Sequence, residues 1–455
     1  MNTILSANKF DDALYSLLCE YEKEKQPISV DFRQLVSDIT FGTRATHLIH
    51  TYPAKLLPHI PYFFLNNNIL SLPGNNVLDP FSGSGTVLLE SLLAGRNAYG
   101  SDANPLARLI SKVKTTDLNI SLLIKSTSRL ESRIKETPSD LPPNVINIDY
   151  WFHPHVIKEL SVIREAVERT RNEVFKDFYR ICFSNCVKKV SLADPRLSVP
   201  VRLREDQYHK NHVLRETTFN HLRKLEKISV RKEFSKILTM NTKRLQSFVK
   251  TLPKNVQSSI ISDDARTVHT SLINKDIQKI DLIITSPPYA GAQKYIRSSS
   301  LSLGWLGMCE LQNLKSYENL NIGREHYNKG EYFEKVVTGI TEADKMLSLI
   351  FEKNPLRAHI AGQYLIEMRD AFISSSHSLK TGGYMVLVAA NNTVCGYDFK
   401  TQEYLRQIIE SLGFETVLQL VDTIHSRGLM TKRNKTANII SCEWVMVFKK
   451  KPRMV

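Results

Sequence analysis

The chain has 455 residues, 42% hydrophobic and 24% charged, which suits two or three globular domains and excludes a disordered or low-complexity protein. No apolar run approaches the ~20 residues that cross a bilayer, and MNTILSANKFDDALYSLL lacks the basic start, long apolar stretch and cleavage site of a secretion signal. The formal charge of +15 points to a polyanionic partner, and it is unevenly spread: residues 121–255 hold 27 Lys and Arg against 15 Asp and Glu, an excess of 12.

In chain order, residues 1–45 read as a polar, helical N-terminal segment. HLIHTYPAKLLPHIPYFFL is an extended, proline-punctuated piece that leads into a helix. An α/β rhythm follows: NNVLDP as a strand, FSGSGTVLLESLLAGR as a glycine turn and helix, NAYGSDA as a second strand and NPLARLISKVK as a second helix. Residues 46–118 thus form a first α/β half. Residues 119–255 are charged and helical, too long for a loop, and read as an inserted basic module. Within it, HPHVIKELSVIREAVERTRNEVFKDFYRICFSNCV is expected to make two helices, and NHLRKLEKISVRKEFSKILTMNTKRLQSFVKTL one long helix or two. The rhythm resumes over residues 256–455 with SSIISDDART and KIDLIITSPPY, is interrupted by a second helical insert at about 290–375, and ends in ETVLQLVDTI and IISCEWVMVFKK, expected to pair antiparallel. The six cysteines are scattered, with no His or Cys pair to complete a zinc set, so reduced thiols, no metal and a cytoplasmic location are expected.

Two strand ends carry chemistry. In VLDPFSGSGT a strand ends at Asp79, and Gly83 and Gly85 allow positive φ and close backbone approach to a ligand. It is not a phosphate-binding Walker loop, since no Gly-Lys-Ser/Thr follows, nor a GxGxxG fingerprint, since no third glycine arrives in register. The acidic residue before the glycines suits a ligand with a cationic amino group. Asp102 lies 23 residues beyond Asp79, a spacing at which a second carboxylate grips ribose hydroxyls; for Asp102 and Asn104 the competing reading is a helix N-cap before Pro105.

DPFSGSGT, then SDAN, then TSPPY resembles the S-adenosylmethionine-dependent amino-methyltransferases of DNA, which modify exocyclic amines of cytosine (N4) or adenine (N6). The resemblance covers roughly residues 46–115, 256–295 and 378–450. It implies a Rossmann-like α/β fold, a seven-stranded methyltransferase sheet with a reversed last strand, here with a large helical insert. It places Asp79, Pro80, Phe81, Gly83, Ser84, Gly85 and Thr86 around the methionine part of S-adenosylmethionine, and Asp102, Ala103 and Asn104 at its ribose. SDDART implies Asp264 and Ala265 at the adenine, with Asp263 as the alternative carboxylate; the Pro-Ala-Lys segment implies Tyr52, Pro53, Ala54 and Lys55 at the methionine end.

The same resemblance makes Ser286, Pro287, Pro288 and Tyr289 the catalytic ledge. Two prolines remove two donors and stiffen the turn, which leaves carbonyls free to accept. An exocyclic amine is a weak nucleophile, and acceptors around its protons stabilise the charge that develops as it gains a methyl group. The Ser286 hydroxyl and the Pro287 carbonyl are the expected acceptors, with Tyr289 stacked on a flipped base. Serine at the ledge's first position favours cytosine N4 over adenine N6. Double-stranded DNA is the expected partner, alongside a cognate restriction endonuclease or defence system, and a monomer is expected. An RNA amino-methyltransferase and a non-catalytic nucleic-acid-binding relative are the competing readings. The 119–255 insert is the first choice for DNA recognition. Tyr295 and Arg297 are candidates for the base pocket, as is Trp305, for which a core position is the favoured reading; Arg427, Lys432, Arg433 and Lys435 are candidates for phosphate contact, against a plain solvated hairpin.

Overall fold

A computed structural model describes residues 8–53, 55–138, 142–143, 145–209, 212–289, 295–309, 314–423 and 442–452; Ala54 and the basic stretch with Arg427, Lys432, Arg433 and Lys435 lie outside them. The described strands are β1 (Ile28–Val30), β2 (Asn76–Asp79), β3 (Asn97–Ser101), β4 (Ser258–Ser262), β5 (Ile280–Thr285), β6 (Leu379–Ala389), β7 (Asn392–Val394), β8 (Tyr397–Phe399), β9 (Phe414–Thr423) and β10 (Cys442–Lys450). Eight of them form one sheet in the order β1-β9-β10-β6-β5-β2-β3-β4, while β7 and β8 make a small separate ribbon.

The expected seven strands are present, and β10 is the reversed one, antiparallel to both β6 and β9. The eighth is a correction to the wholly helical reading of residues 1–45: after the Lys9–Glu24 helix, β1 pairs parallel with β9, Ile28 opposite Leu420 and Val30 opposite Asp422. Its alternating β-branched residues suit a sheet edge, but the partner that recruits them lies almost four hundred residues away.

Strand periodicity builds two cores. Val77, Leu282, Ile284, Val386 and Val388 point to one face, covered by Phe10, Leu14, Phe32, Phe63 and Phe64. Leu78, Ile283, Met385 and Leu387 point to the other, covered by the Thr341–Lys353, Pro355–Ser378 and Thr401–Ser411 helices. The chain runs from β2 outward to β3 and β4, then returns to β5 on the other side of β2, with all these neighbours parallel. The ends of β2 and β5 therefore flank a switch point, where open α/β sheets bind ligands.

Residues 120–251 are largely helical. HPHVIKEL… gives two helices, Pro154–Glu168 and Glu173–Val190, the second capped by Asn172. The basic run gives two as well, Leu214–Glu226 and Val230–Thr251, because Ser229 turns the chain and its hydroxyl accepts from Lys232 N. These helices share one apolar core with the Pro105–Thr115 and Tyr295–Trp305 helices. Trp305 is wholly buried there, edge-on to Phe152 and Phe183, and so is a core residue rather than a pocket wall. Among the described residues, no helix is long and apolar enough to cross a membrane, and all six cysteines are free thiols.

Candidate active site

The chain leaves β2 at Asp79 and turns tightly through Gly83 (φ +50°) and Gly85 (φ +73°), which N-caps the Thr86–Leu93 helix. A Cβ on Gly85 would sit 2.8 Å from Ser111 Oγ and 3.0 Å from its Cα, so only glycine fits between this turn and the neighbouring helix. Asp79 is buried under the turn, where its Oδ1 accepts from Phe81 N (3.1 Å) and from the Thr285 hydroxyl at the end of β5 (2.7 Å). Burial pushes its pKa up to about 7, with Thr285 and Phe81 pulling the other way.

Asp102, just past β3, accepts Gly83 N on one oxygen and Asn104 N on the other, both at 2.8 Å. Its pKa is likewise pushed up to about 6 by burial, against those two N–H groups. Asn104 takes the capping role: its Oδ1 accepts from Leu106 N, and its Nδ2 donates to Tyr52 (3.3 Å) and Ser299 (3.0 Å). The Tyr52 ring lies over the glycine turn, within 3.7 Å of where a Gly83 Cβ would stand. Lys55 turns elsewhere and donates to the carbonyls of His47 and His50; burial first, then Arg244, pulls its pKa down to about 8.

These strand ends surround a cleft of about 620 Å³. Tyr52, Pro80, Phe81, Gly83, Asp102, Ala103, Asp263, Asp264, Ala265, Ser286 and Pro288 all line it. The glycine turn after β2 and the Ser-Pro-Pro ledge after β5 therefore face one space. Of the other expected residues, Asp79, Ser84 and Thr86 are buried beneath the turn and Pro287 behind the ledge. Pro53 and Lys55 stand off the lining. Asp264 is engaged by Arg266, whose backbone N and Nε donate to its Oδ1 at 2.9 Å, whereas the neighbouring Asp263 is exposed.

A second cleft of about 500 Å³ adjoins the first and shares Pro288, Tyr295, Asn321 and Ile322 with it. Tyr289, Arg297, Glu318 and Arg324 also line it, and the Tyr289 hydroxyl donates to Glu443 (3.0 Å), which fixes the ring at the cleft's side. Asn321 and Ile322 went unnoticed in the sequence because NLNIGRE has neither a motif nor a periodicity; only the fold carries it to the sheet edge.

A family model described as DNA methylase matches residues 49–112, the stretch from Tyr52 through the glycine turn to the helix after Asp102. The chain is 26% identical over 416 residues to the Type II methyltransferase M.MvaI of Kocuria varians, with 87% of each chain covered. It is 22% identical over 396 residues to the Type II methyltransferase M.BsoBI of Geobacillus stearothermophilus, covering 76% of this chain and 74% of that protein. Over a shorter span of 99 residues, it is 33% identical to the Type II methyltransferase M.MjaII of Methanocaldococcus jannaschii, 22% of this chain and 18% of that one.

Proposed function

The chain belongs to the amino-methyltransferases of DNA, and from that premise we propose that it methylates the exocyclic amine of a flipped base at a specific DNA site, cytosine N4 in preference to adenine N6. One observation carries the proposal: Gly83 and Asp102 line the same cleft as Ser286 and Pro288, with Tyr289 at the adjoining one.

Family and fold imply S-adenosylmethionine as the methyl donor. The donor set fits it. Carboxylates stand at two strand ends for hydroxyl and amino groups, and Tyr52, Phe81 and Ile322 offer apolar walls. Asp102 would hold the ribose. Asp263 is the freer acceptor for the adenine amino group, since Arg266 already occupies Asp264. When bound, the cofactor supplies an electrophilic methyl group on a sulfonium.

The chain's own residues do the rest. Among the described residues the Ser286 hydroxyl has no hydrogen-bond partner, so it is open to accept from the target amine, together with the Pro287 carbonyl. Both acceptors would stabilise the positive charge that grows on the nitrogen. Tyr289, held by Glu443, would stack on the extruded base and return about 1–3 kcal/mol of the unstacking cost. Ser286 supports cytosine, and the relatives' names as Type II methyltransferases support a restriction–modification setting with a cognate endonuclease.

The test is transfer of labelled methyl groups by the purified protein to a mixed-sequence duplex library and to RNA, followed by digestion and mass spectrometry. N4-methylcytosine in duplex DNA alone is the expected product. N6-methyladenine would overturn the base preference, and labelled RNA with unlabelled DNA would overturn the substrate.

A further inference from the structure

Behind the segment that carries Tyr52 lies a larger groove of about 1410 Å³, walled by the Glu173–Val190 and Val230–Thr251 helices and by one side of the Tyr295–Trp305 helix. Its cations are poorly neutralised. Lys188 and Arg244 reach it from the two different insert helices, and among the described residues neither pairs with a carboxylate. Lys189 is taken by Glu233 (3.0 Å), and the groove's one described acidic residue, Asp194, is held by Arg196 (2.6 Å). Lys55 stands behind the same segment, and the nearby Glu90 is already occupied by Arg44 and His47. Burial lowers the proton affinity of both Lys188 and Arg244, as it does where cations lack counter-charges. An anion is what this surface lacks.

Position says which anion. Thr51 lines the groove and the next residue, Tyr52, lines the active cleft; Ser298 lines the groove and Tyr295, one turn earlier on the same helix, lines the cleft. A polymer with its target base in the cleft would pass directly by the groove. Leu48, Leu197 and Met240 are exposed along it and suit the apolar faces of sugars. We infer that this groove carries the sugar–phosphate backbone of the DNA beside the target base, with Lys188 and Arg244 each set against a phosphate. The inference rests on the DNA-methylation reading.

The experiment measures binding of a labelled mixed-sequence duplex across 50–200 mM salt for wild type, K188Q/R244Q and K188R/R244K, with circular dichroism to confirm folding. Each phosphate contact contributes about 0.9 to the slope of log K against log salt, so the Gln pair should flatten it by about 1.8 and the charge-keeping pair should restore it. The KM for DNA should rise about tenfold or more, and K188Q alone, which keeps the Arg244–Asn241 hydrogen bond in place, should flatten the slope by about 0.9 with kcat and the Kd for S-adenosylhomocysteine within about twofold. If wild type methylates DNA and the Gln pair leaves the slope unchanged, the groove assignment alone falls. If the Gln pair instead loses binding to poly-glutamate while keeping its DNA slope, the groove is a protein-binding site and the inference is wrong. If wild type neither binds nor methylates DNA, the parent reading falls and takes the groove with it.

Discussion

Acidification should weaken cofactor binding through Asp102, by an amount its surroundings set. Burial holds this carboxyl near pKa 6 even though Gly83 N and Asn104 N each donate to it. At pH 7.5 nearly all of it is ionised, and at pH 5 only about one molecule in ten. A ribose diol brings two donors and needs the charged, acceptor-only form. If the ligand selects that form, its Kd should rise about tenfold between pH 7.5 and pH 5, or about 1.4 kcal/mol. Calorimetric titration with S-adenosylhomocysteine, on wild type and on Asp102→Asn, isolates the effect. The variant should bind about ten- to a hundredfold more weakly at pH 7.5, because an amide cannot accept from both N–H groups and the ribose. Its remaining pH dependence should be flatter by that factor of ten. Asp79, pushed up to about 7 mainly by burial and least by the charge of Asp102, titrates in both proteins, so the comparison removes most of its share. Parallel pH profiles for the two proteins would refute Asp102 as the ribose carboxylate.

Ser286→Ala should cut single-turnover methylation about a hundredfold while cofactor Kd moves less than about twofold; an equal loss of both would remove Ser286 from the amine-binding role. Thr285→Val deletes a 2.7 Å hydrogen bond to a buried carboxylate and should cost about 1.5–3 kcal/mol at pH 8 by urea unfolding. Because the folded pKa of Asp79 lies above its ordinary value of 3.8, folding favours its protonated form, and stability should fall as pH rises from about 4 through about 7. The Thr285→Val deficit should therefore be smaller at pH 5 than at pH 8, and a pH-independent deficit would contradict this. Gly85→Ala should destabilise by about 2–4 kcal/mol, combining a left-handed φ with a clash against Ser111. Gly83→Ala, with open space to 3.7 Å, should cost only the conformational share of about 1–2 kcal/mol in the same urea experiment.

What could be read from the sequence was what local spacing enforces. A strand that ends in Asp79 and turns through Gly83 and Gly85, a carboxylate 23 residues on, and two prolines after a buried strand each state their geometry within a few residues. Parallel strands then bring these ends to one edge without further information. Side-chain direction was not readable in this way. Lys55 sits beside Tyr52 in a recognisable segment, yet the carbonyls of His47 and His50 turn it from the cleft, and no spacing rule foretells that. Long-range pairing was equally hidden: β1 is three residues whose register is written in Leu420–Asp422. Trp305 falls between the two cases, since a core role for it was the favoured reading but its neighbours Phe152 and Phe183 come from the other insert.

The placement of the first insert follows from what Tyr52 requires. Residues 44–52 have few backbone partners of their own and must be held by side chains. On one side, Arg44 (3.0 Å) and His47 (2.6 Å) grip the buried Glu90 on the helix behind the glycine turn; burial drives that carboxyl up, but His47 and Arg44 together hold it below its usual range. On the other side, the amides of Asn185 and Asn241 both donate to the Ile49 carbonyl, at 2.7 and 2.9 Å, Asn185 accepts from Thr51 N, and His50 meets Ser184 at 2.8 Å. All three of those partners lie on insert helices. Tyr52 is thus fixed by the sheet's own helix and by the insert at once, and Arg244, donating to Asn241 at 2.7 Å, connects the groove cations to that hold. An insert appended at either terminus could bind a polyanion equally well. Leaving after the Pro105–Thr115 helix and returning at β4, it is joined to the chain between Asp102 and Asp263, two of the carboxylates that line the cleft, so that its packing and the cleft's wall are one structure.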